Sequence, residues 1–557
     1  MILRLGLGFA LQVVLLLLPG VSLATLRRNP FHPITAIAAG SGLVWLASFF
    51  ATWQSPALGR ALSIGVLVGS AASLLLRRAG HVSLRTWWRD PDVRTPLLLV
   101  PAIGLLLIGS LVLHGIQGDL TSVSGHRYIH GLPIDNVMPE LLADRVIAGE
   151  PVTPFVAEWL SSDRPPLQAG ATTFIRPLRA IVGRDTQYEL AGIGLQLLCI
   201  PALWLLLRRL RLPRAVVLPV VLVTSSTGVV VLHAVYVWPK LLAAAFALLA
   251  IGEAIGSARG PMRALAVGTC AALAMLSHSG SAFVVPITLL AIVATAVLGL
   301  RIRIRDVALV AAVTLALMAP WSAYQRWVDP PGNRLLKWHL AGVIPIDERG
   351  TLQAVREEYS KLSSGDIIAY KRSNLAFLYD HSRVIGDAVP VGGSMRLVRE
   401  REFARVVNSL GVGWLGVPAM LVCLVWRRAR DTWEAAVGGA LMVFGIIGVF
   451  LWSMTLFGPS ATWLHAGTLV FPLLLSAGLS LFVATLGRRV LWAYVAIAAL
   501  RSIHVWLLAG PESPRPTSAS GFAMLAIGSV AIAGVAYGSI RAVEPVTAAP
   551  GDGHHFG

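Results

Sequence analysis

The chain alternates long apolar runs with short polar breaks. From the amino end the runs fall at about 2–26, 34–52, 57–76, 95–116, 189–207, 214–235, 239–257, 263–279, 281–300, 306–324, 408–425, 435–456, 462–485, 490–508 and 521–540. Most approach the roughly 20 apolar residues a helix needs to cross a bilayer. The runs at 34–52 and 57–76 carry the weaker pattern, and those at 263–279 and 281–300 can form one unit broken at Ser277-His278-Ser279-Gly280. The pattern therefore predicts an all-α polytopic membrane protein with about 13–15 transmembrane helices.

Two interruptions are much longer, at about 117–188 and 325–407. In the first, Val137, Leu141, Leu142, Val146 and Ile147 share one helical face, which predicts an amphipathic helix on the membrane surface. In the second, Thr351 to Leu362 reads helical, and Arg396 to Val407 forms a charged amphipathic stretch leading into the next span. The predicted divisions are 1–94, the first transmembrane helices; 95–325, a transmembrane core including the loop 117–188; 326–407, the second loop; 408–541, the last transmembrane helices; and 542–557, a tail. No GxxxxGK[ST] phosphate loop occurs, which argues against an ATP-driven pump.

Charge sets the sides. Only 13% of residues are charged, about half the roughly 25% of soluble proteins, and mean hydropathy is +0.72. The net charge of +18 does not point to nucleic acid, because the arginines cluster in alternate short loops. Arg27–Arg28, Arg77–Arg78, Arg208–Arg209, Arg301 to Arg305, Arg427–Arg428 and Arg488–Arg489 fall on one side, while the intervening loops hold little beyond Arg60, Lys240 and Arg515. The arginine-rich loops read as cytoplasmic, which places the amino terminus outside, the carboxyl terminus inside, and both long loops on the non-cytoplasmic face. The run 2–26 reads as a retained helix rather than a cleaved signal, in a multi-pass protein of the inner (plasma) membrane. All three cysteines lie inside apolar runs, so no disulfide framework or metal site is inferred from them.

The candidate chemistry gathers at the outer ends of these spans. Asp135 opens the first amphipathic helix. Asp163-Arg164-Pro165-Pro166-Leu167 follows. Tyr236-Val-Trp-Pro-Lys240 tops a short turn, and His278 lies at another. Asp329 to His339, with Asn333, Arg334 and Lys337, opens the second loop, and His465 begins a late span. A carboxylate beside the membrane can act as general base towards a hydroxyl. Arginine and lysine at the same depth can hold a phosphate and stabilise it as a leaving group.

These motifs resemble the GT-C class of membrane glycosyltransferases, in particular the protein O-mannosyltransferase and aminoarabinose transferase kind. The resemblance runs from about residue 95 onwards. It rests on an acidic residue early in the first outer loop, here Asp135, and on an acidic-basic-Pro-Pro-Leu motif, here Asp163 to Leu167 with Arg164 where relatives often carry Lys. Leu276-Ser277-His278-Ser279-Gly280 is similar to a stretch where relatives often have Leu-Thr-Lys-Gly. Asp135-Asn136 stands where relatives often show Asp-Glu, and three spans precede the usual first one. The resemblance implies a polyprenyl-phosphate sugar donor, chemistry on the outer face, Asp135 as base and Arg164 as phosphate ligand; Asp163 is a second candidate catalytic carboxylate. Lys240, His278, Asn333, Arg334, Lys337, His339 and His465 are the candidate substrate-binding residues. No cofactor is required. Some GT-C enzymes use a divalent cation, and Asp135 with Asp163 is the pair that could hold one. The expected partners are the lipid donor, membrane lipid, and a glycan, lipid or protein acceptor in a bacterial cell envelope.

Plainer roles stand beside each assignment. Asp135 is a favoured residue for capping its helix. Pro165–Pro166 suits a rigid turn that leaves Arg164 to lipid headgroups. Lys240 and Trp238 suit an interface, as do Trp45, Trp321, Trp452 and Trp492. His278 and His465 can be satisfied between helices, and Glu253 can snorkel to the cytoplasmic interface. A transporter or flippase of a lipid-linked sugar is the rival function, and an assembly subunit a third. A transporter requires polar groups deep in the spans, and the apolar runs hold few.

Overall fold

The computed structural model describes residues 2–26, 31–76, 84–116, 118–129, 132–179, 183–256, 260–284, 304–378, 387–388, 390, 394–458, 469–510 and 516–541. Among them the fold is entirely helical, with one isolated bridge between Val156 and Trp159. Ten helices are long and apolar enough to cross a membrane, or eleven if a bent pair counts as one span. They match ten of the fifteen predicted runs. The remaining five explain the smaller count. The run at 214–235 is two helices, Arg214–Ser225 and Gly228–Val235, meeting at 61°. The runs at 239–257 and 263–279 are the 16-residue Lys240–Ile255 and 17-residue Pro261–Ser277 helices. From residue 285 the run at 281–300 lies outside the described residues, as does 462–485 up to residue 468. The tail 542–557 lies outside them too.

Local chemistry explains the breaks. Helices at Pro33, Pro56, Pro91 and Pro261 begin with proline, whose missing N–H costs nothing in a first turn. At the 61° bend the hydroxyls of Ser225, Ser226 and Thr227 each donate to a carbonyl of their own chain, to Val221, Val223 and Thr224, at 2.7 Å. Val223 and Thr224 also accept the Ser226 and Thr227 amides, at 3.1 and 3.2 Å, so the bend leaves these carbonyls doubly satisfied inside the bundle.

Small residues set the packing. A side chain at Gly109, Gly521 or Gly528 would collide with backbone of the facing helix, so the Pro91–Val112 and Ala519–Arg541 helices touch backbone to backbone. The helices from the 1–94 segment pack into the core. Gly170 on the Leu167–Ile175 helix abuts the carbonyl of Trp45, and Ser48 hydrogen-bonds Thr173 at 3.0 Å.

Several expectations change here. The helix predicted after Asp135 is present at Met138–Ala148, and its apolar face is divided: Leu142 and Val146 are buried against the protein, while Leu141 is exposed. Trp45, Trp321 and Trp452 are buried inside the bundle, not interfacial anchors. Trp45 donates to the Leu16 carbonyl at 3.3 Å, and Trp321 stacks on Tyr324. Glu253 does not snorkel. It is buried, accepts from Thr35 at 2.6 Å and faces Arg209 at 3.5 Å, because a carboxylate with two partners inside the bundle has less need of water.

Candidate functional site

The motif at 163–167 is held by its neighbours. Ser161–Asp163 forms a single 3-10 turn, and the Leu167–Ile175 helix starts immediately after Pro165–Pro166. Asp163 Oδ2 accepts from the Leu160 amide at 3.0 Å and from Arg334 Nη1 at 2.8 Å. Arg334 also donates through Nε to the Ile344 carbonyl at 3.0 Å. Asp329 ties the two long loops together. Its carboxylate accepts from Thr153 at 2.9 Å, from Ser161 at 2.7 Å and from the Ser162 amide at 2.8 Å.

Gln168, one residue past the motif, joins two turns. Its Nε2 donates to the Tyr188 hydroxyl and to the Val237 carbonyl, both at 2.7 Å. Tyr188 in turn donates to the Asn136 carbonyl at 2.5 Å. Gln196 donates to Gln168 at 3.0 Å and accepts from the Leu242 amide at 3.0 Å. This buried chain fixes the turn carrying Asp135 against the turn carrying Val237. Val237 has φ 46°, an uncommon conformation for a β-branched residue. Gly192 leaves space for its side chain, since a Cβ there would strike it.

On this scaffold Asp135 and Arg164 form a buried ion pair. No side-chain cap joins Asp135 to the Met138–Ala148 helix, so the capping role is not what the structure shows. Besides Asp135, Arg164 donates to the Met138 sulfur at 3.4 Å and lies over the Trp159 ring, 4.6 Å from its centroid. Arg334 lies over the same ring at 5.0 Å. Asp135, Asp163, Arg164, His278 and His339 all line one cavity of about 690 Å³. Most of its wall is apolar, including Met275, Phe283, Met318, Leu335 and Leu336. Met318 comes from the Ile304–Trp327 helix, which is otherwise largely exposed, so only one helix separates this wall from the bundle surface.

Burial shapes the electrostatics. It lowers Arg164 to about 10, with Arg334 adding to the effect, so the guanidinium stays charged at neutral pH. It raises the Asp163 carboxyl above its usual range, opposed by the Leu160 amide and Arg334. It lowers His339, opposed by the Leu335 carbonyl and helped by Arg164 and Lys240, so that ring is neutral at neutral pH.

The remaining candidates divide. Lys240 is buried behind the cavity wall, with Nζ 2.8 Å from the centroid of the Trp238 ring. Its Nζ makes no hydrogen bond among the described residues. Arg334 reaches the site through Asp163. Asn333 and Lys337 do not line the cavity. Asn333 donates to the Thr351 hydroxyl within the second loop at 3.1 Å, and Lys337 donates to the carbonyls of Asp347 and Arg349. His465 lies outside the described residues. Asp135 and Asp163 pair with different arginines, and among the described residues no group of three or more His, Cys, Asp or Glu is arranged to hold a metal ion.

Sequence reasoning missed Trp159, Gln168, Asp329 as the tie between loops, and Glu400, which also lines the cavity. Gln168 carried one available signal, an uncharged polar residue in an apolar helix directly after the motif. No protein-family model, characterised protein or solved structure matches the chain.

Proposed function

We propose that the chain is an integral membrane glycosyltransferase, a hexosyl- or pentosyltransferase. It moves a sugar from a polyprenyl-phosphate donor to an acceptor hydroxyl on the non-cytoplasmic face. The observation that carries this reading is the Asp135–Arg164 pair at the wall of a largely apolar cavity of about 690 Å³. A cavity of that size and lining suits an amphiphile with a few polar contacts at one end.

The pair suggests an order of events. A buried carboxylate neutralised by arginine is a weak base. When the donor phosphate arrives it takes Arg164, which gains an anionic partner of matching shape. Asp135 is released and accepts the proton of the acceptor hydroxyl. The hydroxyl oxygen attacks the anomeric carbon as the carbon–oxygen bond to phosphate breaks. The phosphate leaves with the bonding pair, remains on its lipid, and meets Arg164. One displacement inverts the anomeric centre. Asp163 serves as a positioning residue through Arg334.

The test is transfer by the purified protein in nanodiscs, using labelled polyprenyl-phosphate sugars and cell-envelope acceptors. Asp135→Asn should lose transfer while still binding polyprenyl phosphate; near-normal turnover removes Asp135 as base. The transporter reading gains from one observation, the 61° break at Ser226–Thr227 within a span. Vesicles in which the protein moves labelled lipid across without forming a new glycosidic bond decide for it.

A further inference from the structure

The two histidines lining the cavity are locked in opposite tautomers. His278 Nδ1 accepts from the Gly280 amide at 3.1 Å. An amide N–H can only donate, so Nδ1 carries no proton and the neutral ring holds its proton on Nε2. His339 Nδ1 lies 2.6 Å from the Leu335 carbonyl, one turn back on its own helix. A carbonyl can only accept, so here Nδ1 carries the proton and Nε2 keeps its lone pair. Both rings are held in place. His278 sits between the Pro261–Ser277 helix and the Ser279–Phe283 turn. His339 lies beside Trp338 and Trp452, at 5.7 and 6.2 Å between ring centroids, and its own carbonyl accepts from the Phe457 amide at 2.8 Å. Both rings line the same cavity as Asp135 and Arg164.

We propose that His278 and His339 form a donor–acceptor pair that recognises a hydroxylated ring in the cavity. One ring oxygen or hydroxyl accepts from His278 Nε2–H, and another hydroxyl donates to His339 Nε2. The pairing rests on the transferase reading and adds the sugar contact to it. The phosphate is held by cations, while the sugar is sorted by two neutral groups of opposite hydrogen-bond sense. Such a pair selects a polyol over a ring that lacks a hydroxyl, because the unmatched imidazole would remain buried and unsatisfied.

The experiment compares binding of bare polyprenyl phosphate with that of polyprenyl phosphates carrying mannose, glucose, galactose or arabinose. The protein is held in nanodiscs and binding is read by tryptophan fluorescence. The wild type should prefer at least one sugar-bearing lipid over the bare phosphate. His339→Phe keeps a ring but no nitrogen. It should cut that preference about tenfold, the size of one lost neutral hydrogen bond, and leave bare phosphate binding unchanged. His278→Phe should do the same. His339→Gln, whose amide can still accept, should keep part of the preference. Bare phosphate binding also serves as the folding control. Equal preference in wild type and His339→Phe overturns the pair, as does a wild type that binds bare phosphate and prefers no sugar. Failure of the wild type to bind any of these lipids instead overturns the transferase reading.

Discussion

Two clusters of charge in the long loops use the same residues to different ends. At the cavity, Asp163 and Arg334 pair at 2.8 Å with side chains only 2% and 1% exposed, and Asp135 pairs with Arg164 beside them. At the start of the Thr351–Ser360 helix, Arg349 meets Asp347 and Glu357 at 2.5 Å and Glu358 at 3.1 Å, and Lys361 reaches Glu358 at 2.7 Å. The second cluster has more contacts, yet water screens it and competes for every one. The first has fewer, but removing a partner strands a charge where nothing else can solvate it. Contact number is therefore a poor guide to importance in this molecule, and burial is a better one. Within the buried cluster the pairs differ again. Asp163 and Arg334 each have a backbone partner as well, at Leu160 and Ile344, whereas the Asp135 carboxylate has Arg164 alone among the described residues. The first pair is therefore held by more bonds than the second.

The comparison can be broken at several points. The largest effect is expected at Asp135→Asn, with transfer reduced by about 10²–10⁴-fold, the usual worth of a general base. The same variant should bind bare polyprenyl phosphate at least as tightly as wild type, because the carboxylate that competes for Arg164 is gone. Weaker binding in a direct titration argues that the pair does not exchange. Next is Arg334→Ala, expected to destabilise the protein by about 3–5 kcal/mol by leaving Asp163 buried and unpaired. Thermal melting in detergent measures it, and Asp163→Leu combined with Arg334→Met should recover most of the loss. Gln168→Leu should cost about 1–3 kcal/mol through the unpaired Val237 carbonyl and Gln196 amide nitrogen, with a fall in transfer as the link between the Asp135 and Val237 turns is lost. A variant with wild-type melting and turnover shows that the chain from Gln196 to Asn136 positions nothing.

Glu140 gives a pH test. Burial raises its carboxyl to about 7, against the pull of Arg176 3.5 Å away. The unfolded chain releases this proton near 4.5, so between about 4.5 and 7 the folded state binds more protons and stability falls as pH rises. Glu140→Gln should flatten that part of the melting-temperature profile, and an unchanged slope assigns it to other groups. The smallest effect belongs to the exposed cluster. Its hydrogen bonds from Arg349 hold Asp347 down at about 2, yet Arg349→Ala should leave the melting temperature within replicate scatter. A clear loss that survives high salt would place that cluster with the buried one.

Much of the fold was legible from the sequence, because a bilayer demands continuous apolar runs of a set length. Ten of the predicted runs are helices of spanning length. Among the described residues the run that broke, 214–235, carries Ser225-Ser226-Thr227-Gly228 inside it, and hydropathy averages over such residues. Ser225 to Gly228 looked like part of one span, and the structure shows hydroxyl and amide bonds to local carbonyls that keep the bend satisfied. The tryptophans near predicted span ends were misplaced for a related reason. An indole is amphipathic enough for an interface, but Trp45 found the Leu16 carbonyl inside the bundle instead.

The site was legible in part. Asp135, Asp163, Arg164, His278 and His339 stood out as polar groups at span ends, and the fold brings all five to one cavity. Asn333 and Lys337 stood out by the same logic and close their own loop instead. Residue type could not separate these cases. The sequence by itself determined that the chain is helical and apolar enough to cross a membrane many times, and where its polar groups interrupt the spans, because those properties depend on residues adjacent along the chain. Tertiary structure alone decided which carboxylate meets which arginine and which tryptophans are buried. Those outcomes depend on partners up to 171 residues away, as for Asp163 and Arg334, and a local pattern carries no record of such distances.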